Sequence, residues 1–114
     1  MNKLIFGLSL TTTLFLTNAV AENAAGKTIF EAKGCVMCHK PDVDTIGPSL
    51  KTIGGSYMGK ISGLITYLKG QGAPVVDPAR ATVMNPQLVK IRTLSEEDMR
   101  ALAEHLLSLS ERPL

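Results

Sequence analysis

Cys35-Val36-Met37-Cys38-His39 is the stretch on which the reading of this chain turns. Two thiols three positions apart fall on one turn of helix, and a histidine follows at once. That spacing suits covalent attachment of haem c. Each thiol can form a thioether with one vinyl group of a porphyrin, and the imidazole can offer a neutral nitrogen to the iron as proximal ligand. Other chemistries of paired cysteines fit less well. A thioredoxin-like dithiol wants a preceding strand and a βαβ surround, and the flanks here read as helical. Zinc wants a fourth ligand, and beyond this motif the chain offers only His105 and no further cysteine. A disulfide between Cys35 and Cys38 closes too small a ring to add much, and it leaves His39 without a role.

Upstream of the motif, residues 1–21 read as a secretory signal. Lys3 supplies the positive start, Leu4 to Leu16 an apolar run, and Ala19-Val20-Ala21 a small-x-small cleavage site. The run falls short of the ~20 residues a membrane-spanning helix needs, so an uncleaved anchor is the lesser alternative. No cysteine lies in this segment, which sets aside a lipoprotein signal. Cleavage after Ala21 leaves 22–114 as one small domain. Because thioether haem is attached outside the cytoplasm, the expected location is the periplasm.

A domain of this size has a marginal core. Outside the leader its aromatics are Phe30, Tyr57 and Tyr67, with no tryptophan. A porphyrin would supply the large apolar body these side chains cannot, so the chain without it is expected to fold poorly. Of the 12 Lys and Arg residues only Lys3 lies in the leader, against 10 Asp and Glu beyond it. That near-neutral balance argues against a nucleic-acid partner, which calls for a clustered basic face.

The periodicity predicts an all-α fold with no strand. Asn23 can cap a first helix running through Phe30 to Gly34. After a loop from Lys40 to Ser49, a middle helix carries Tyr57, Ile61, Leu64, Ile65 and Leu68 as one stripe. Gly70 and Gly72 end it. Gly72 to Val89, with Pro74, Pro78 and Pro86, reads as a long irregular stretch. The last helix starts at Ser95, whose hydroxyl can cap the acidic turn of Glu96, Glu97 and Asp98, and it buries Met99, Leu102, Ala103, Leu106 and Leu107.

Four methionines outside the leader could close the sixth position of the iron. Met37 lies inside the attachment motif and cannot reach the opposite face. Met99 belongs to the apolar stripe of the last helix. Met58, beside Gly59, is a possible ligand. Met84 is favoured: it sits in the Pro-rich stretch as Val83-Met84-Asn85-Pro86-Gln87, outside any stripe, after enough chain to cross a porphyrin.

The sequence resembles the small monohaem class I bacterial cytochromes c over essentially all of 22–114. The anchors are the Cys35–His39 motif near the amino end, Ile46-Gly47-Pro48-Ser49-Leu50, Met84-Asn85-Pro86, and Leu94-Ser95 with Asp98, Leu102 and Ala103. The resemblance implies helices wrapped around one covalently bound haem with His39 and Met84 as axial ligands. It implies that the Pro48 carbonyl accepts the proton from the ring nitrogen of His39 turned away from iron; without it, Gly47-Pro48 is simply a turn. It also implies a crossing of the first and last helices at Gly26 and Phe30. His105 stands where the family commonly has Tyr or Trp and is expected at the surface or an interface; it is not the expected iron ligand.

The function implied is one-electron transfer with no substrate transformed. The partners implied are transient protein oxidoreductases of the periplasm or membrane, and the mature protein is expected to be soluble and monomeric. Lys33, Lys40, Lys51 and Lys60 are candidates for a docking rim. A free carrier is expected to be polar around that rim, whereas a permanent subunit of a larger complex wants an apolar patch. A gas sensor or peroxidase-like haem would need an open sixth site.

Overall fold

The computed structural model describes Gly7 and residues 18–110, so most of the leader read into residues 1–21 lies outside the described residues. Among them are five helices and no strand: α1 (Asn18–Ala32), α2 (Leu50–Ser56), α3 (Ile61–Leu68), α4 (Ala81–Ile91) and α5 (Glu96–Leu107). Two 3-10 turns, Cys35–Met37 and Pro78–Arg80, join them. No described helix is long and apolar enough to cross a membrane.

α5 is the hub, packing on α1, α2 and α3. Its start follows from sequence: the Ser95 side chain accepts from the Asp98 N–H at 3.1 Å, and three acidic residues occupy the first turn. Met99, Leu102, Ala103, Leu106 and Leu107 are all buried, as the stripe requires. α1 crosses α5 at Gly26, where a Cβ would stand 2.1 Å from the Ala101 carbonyl oxygen and 2.8 Å from the His105 Cβ. Only a residue without a side chain lets the two backbones come this close. One turn on, the buried Phe30 ring lies 5.1 Å from the half-buried His105 imidazole, tilted at 59°. Such tilted ring pairs are favourable beyond the area they bury.

Two residues past α1, Gly34 has a left-handed φ of 75° and turns the chain directly into the Cys35–Met37 turn. The start of α1 differs from expectation. The helix begins at Asn18, so the Asn23 backbone lies inside it, because the alanine-rich stretch upstream continues the helix.

The middle helix also differs. It begins at Leu50, where the buried Ser49 accepts from the Thr52 N–H at 3.1 Å, and it is broken after Ser56. Gly59 at φ 69° turns the chain before α3 restarts at Ile61. α3 then ends as the paired glycines suggest, with the Gly70 N–H on the Tyr67 carbonyl and the Gln71 N–H on that of Thr66. The largest difference is in 72–89, whose second half is helix α4 rather than irregular chain. Pro78 opens the 3-10 turn that leads into it, and Met84, Leu88 and Ile91 recur at i, i+4 and i+7 along one side. Leu88 and Ile91 are buried and Met84 is half-buried against the core.

Candidate haem site

The helices surround a cavity of about 370 Å3, within the range that holds a cofactor. Cys35, Cys38 and His39 line one part of it. Both thiols are half-buried and unpaired. Burial pushes the Cys35 thiol above its ordinary pKa; a backbone hydrogen bond opposes this and the neighbouring Cys38 adds to it. The attachment turn is tightly bonded, since the Cys38 and His39 N–H groups both donate to the Cys35 carbonyl, at 3.2 and 3.0 Å.

His39 is oriented from behind. Its Nδ1 lies 2.7 Å from the Pro48 carbonyl oxygen, and because a carbonyl only accepts, Nδ1 carries the proton. Nε2 therefore keeps its lone pair, the form in which an imidazole ligates a metal. Gly47 is part of the same device. A Cβ there would stand 2.8 Å from His39 Cε1 and 3.2 Å from the Cys38 carbonyl oxygen.

The loop behind His39 is held by Asp44. Its Oδ1 accepts from the Ser49 N–H at 2.7 Å and from the Thr52 hydroxyl at 2.9 Å. These bonds, the Ser49 backbone N–H first, hold the Asp44 carboxyl below its usual pKa. Asp44 had no sequence signal beyond its place in a polar loop.

Met84 lines the same cavity from α4. Of the other methionines, Met37 also lines it but belongs to the attachment turn and is 70% exposed, Met58 is 64% exposed and lies away from it, and Met99 is 1% exposed in the core. The cavity thus brings together Cys35, Cys38, His39, Pro48 and Met84. Met84 gets there on a helical stripe, not from the irregular loop that its neighbouring prolines suggest.

Leu64, Leu68, Ile91, Leu102 and Leu106 give the cavity apolar walls. Tyr57 and Tyr67 also line it, and neither hydroxyl bonds to a described residue. Burial raises the pKa of both, and for Tyr57 the nearby Tyr67 adds to the effect. The residues fit a haem: apolar walls for a flat macrocycle, two thiols for its vinyl groups, a histidine with a committed tautomer, and two hydroxyls with bonds still to make. Among the described residues no cluster of three or more His, Cys, Asp or Glu could hold a bare metal ion, so the zinc alternative gains nothing.

Of the lysines expected at a docking rim, one lines the cavity itself. Lys33 lines the cavity, but Lys40, Lys51 and Lys60 do not; Arg80 and Lys90 do. The Lys40 ammonium instead donates to the Val36 carbonyl at 3.0 Å. Arg80 was missed because its partners beyond nearby Asp77 are backbone carbonyls far along the chain.

The chain matches the cytochrome c family over residues 23–110, a span running from α1 through the attachment motif and Met84 to the end of α5. It is 27% identical over 93 residues to cytochrome c-551 of Pseudomonas denitrificans, a match covering 75% of this chain and 99% of that relative. Family members bind haem c covalently and are haem-containing electron carriers, and Cys35 and Cys38 have the spacing of that attachment. The chain belongs to the cytochrome c family.

Proposed function

We propose that this chain is a periplasmic one-electron carrier holding one haem c through Cys35 and Cys38, with His39 and Met84 as axial ligands. The observation that carries the reading is the meeting on one apolar cavity of a histidine tied by Nδ1 to Pro48 and a methionine from a helix remote in sequence. A bound haem c supplies a one-electron ferric–ferrous couple. The chain's own residues do the rest. Cys35 and Cys38 tether the group at the cavity wall. His39, giving its proton to the Pro48 carbonyl, offers Nε2 as a fixed and more basic donor. Met84 offers a soft thioether, which favours ferrous iron and raises the potential. Leu64, Leu68, Leu102 and Leu106 give that cavity apolar walls, which limit the water around a bound group. With both axial positions taken by the protein, no place is left for a substrate, and the chain acts as a carrier rather than an enzyme.

The leader-like residues 1–21 support export, with cleavage after Ala21 leaving the domain 22–114. Partners are transient protein oxidoreductases, and the near-neutral charge speaks against nucleic acid. A second reading, a permanent subunit of a larger redox assembly, is favoured by one observation: Met37, Ile46, Val75 and Val83 are exposed apolar side chains at the cavity, where a free carrier should be polar. Sedimentation of protein released from its native compartment separates the two, as a small monomer or as a larger complex.

Optical spectra of the matured protein, wild type and Met84→Ala, test the ligation. The wild type should be low-spin, show the weak red sulfur-to-iron band and leave carbon monoxide unbound; the variant should lose the band and bind the gas. Matching spectra would remove Met84 from the ligand set.

A further inference from the structure

Among the described residues, Arg80 alone joins two parts of the cavity lining side chain to backbone. It lines the cavity yet remains half-exposed, which puts it at the rim. Nη1 donates to the carbonyls of Thr45 at 3.1 Å and Ile46 at 2.9 Å, and Nε donates to Asp77 Oδ2 at the start of the same turn. The two carbonyls belong to the loop behind His39: the Thr45 hydroxyl donates to the Cys38 carbonyl at 3.3 Å, and the Gly47 N–H to the same oxygen at 3.0 Å. Arg80 immediately precedes α4, one helical turn before Met84. At the far end α4 is held by the buried Leu88 and Ile91. It packs on the other helices less extensively than α1, α2 or α3 packs on α5. The Met84 end of α4 is thus fastened to the His39 side by one guanidinium, aimed by Asp77. A planar fork with several donors can serve a carboxylate and two carbonyls at once, which a lysine ammonium on its flexible stem does poorly.

We propose that Arg80 is a positioning residue, a clamp that holds the Met84 end of α4 against the His39 loop and thereby sets how readily Met84 leaves its ligand position. This rests on the reading of Met84 as axial ligand. Arg80→Gln should release the clamp without touching Cys35, Cys38, His39 or Met84, and Arg80→Lys should release it in part.

The test compares matured wild type, Met84→Ala, Arg80→Gln, Arg80→Lys and Gly26→Ala. Two quantities are read: the rate at which the ferrous protein takes up carbon monoxide, and the guanidinium midpoint of helix loss by far-ultraviolet circular dichroism. Arg80→Gln should take up the gas about tenfold faster or more, the factor expected from losing a charged hydrogen bond, with Arg80→Lys between it and wild type. The midpoint of helix loss should fall only by the same modest free energy, whereas Gly26→Ala, which loosens the α1–α5 crossing and leaves Arg80 in place, should lower the midpoint without faster uptake. A rate within about twofold of wild type overturns the clamp. So does equally fast uptake by Gly26→Ala, which would make the quickening a reflection of global stability and Arg80 merely structural. Should the glutamine variant fail to mature, the lysine variant carries the same two outcomes. Met84→Ala separates the layers: an unchanged spectrum there sinks the ligand reading, whereas a changed spectrum with an unaltered Arg80→Gln rate sinks the clamp alone.

Discussion

A single methyl group added at Gly26 probes the α1–α5 crossing. The new Cβ would stand 2.1 Å from the Ala101 carbonyl oxygen and 2.8 Å from its carbon, with the His105 Cβ also at 2.8 Å. Comfortable contact begins near 3.5 Å, so the helices must part by about 1 Å or more. The obstacle is backbone, which cannot swing aside as a side-chain tip can. Overpacking of this kind costs about 1–3 kcal/mol, and parting the helices loosens the Phe30–His105 ring contact, which places it in the upper half. Alanine recovers about 1 kcal/mol over glycine through helix propensity. The net expectation for Gly26→Ala is a loss of about 1.5 kcal/mol, or roughly 6–12 °C in Tm for a domain this small. Gly55→Ala is the matched control. Gly55 is exposed in α2, and nothing lies within 4 Å of its Cβ position, so the same change should add about 0.5–1 kcal/mol. Guanidinium melts of the matured proteins, followed by far-ultraviolet circular dichroism, measure both. A Gly26→Ala protein as stable as wild type, or two variants that shift in the same direction, would refute the reasoning.

Three further outcomes follow from the described contacts. Gly47→Ala drives a Cβ against the His39 ring and should cost about 1–3 kcal/mol while shifting the His39 Nδ1 proton resonance; a variant with both unchanged would mean that the loop yields freely. His105 has its pKa lowered from 6.5, by burial first and by Lys27 second, with Glu31 opposing, so the unfolded chain takes up the proton first. Stability is therefore full above about pH 6.5 and is lost as pH falls through the lower folded value; urea midpoints across that range should slope in wild type and flatten in His105→Phe. Asp44 behaves likewise at lower pH. Its stabilising contribution is present above its free value of 3.8 and is lost as pH falls through the depressed folded value, and Asp44→Asn should remove that dependence in acid titrations.

What the sequence reveals of the site depends on how local each part is. Cys35, Cys38 and His39 are legible because the chemistry demands adjacent residues. The Gly26 and Phe30 crossing is legible only through the family resemblance, since nothing in α1 alone says what it packs against. α5 announces itself through Ser95, its acidic turn and its stripe. α4 does not. Pro78 and Pro86 read as breakers, yet Pro78 merely opens a turn and Pro86 forgoes a single bond to the Thr82 carbonyl four residues back, which the burial of Leu88 and Ile91 offsets. α2 is hidden by Gly54-Gly55, and Gly54 is there because a Cβ would stand 2.5 Å from the Ser110 hydroxyl. Arg80 stays illegible for a different reason. Beyond nearby Asp77, its acceptors are main-chain carbonyls, which every residue possesses, so only three-dimensional placement singles out Thr45 and Ile46.

The ring of bonds behind the attachment turn has a bearing on the order of events during maturation. His39 and Pro48 are nine positions apart, and the bonds of Asp44, Thr45 and Gly47 are equally short-range. Gly26 and Ala101, by contrast, meet only after 75 residues have been drawn together. With closure entropy growing as the logarithm of length, the longer loop costs about 2 kcal/mol more to close than the shorter one. Chain entropy therefore favours the small loop taking shape first. His39 and the two thiols can be presented in near-final form on a chain whose ends have yet to meet.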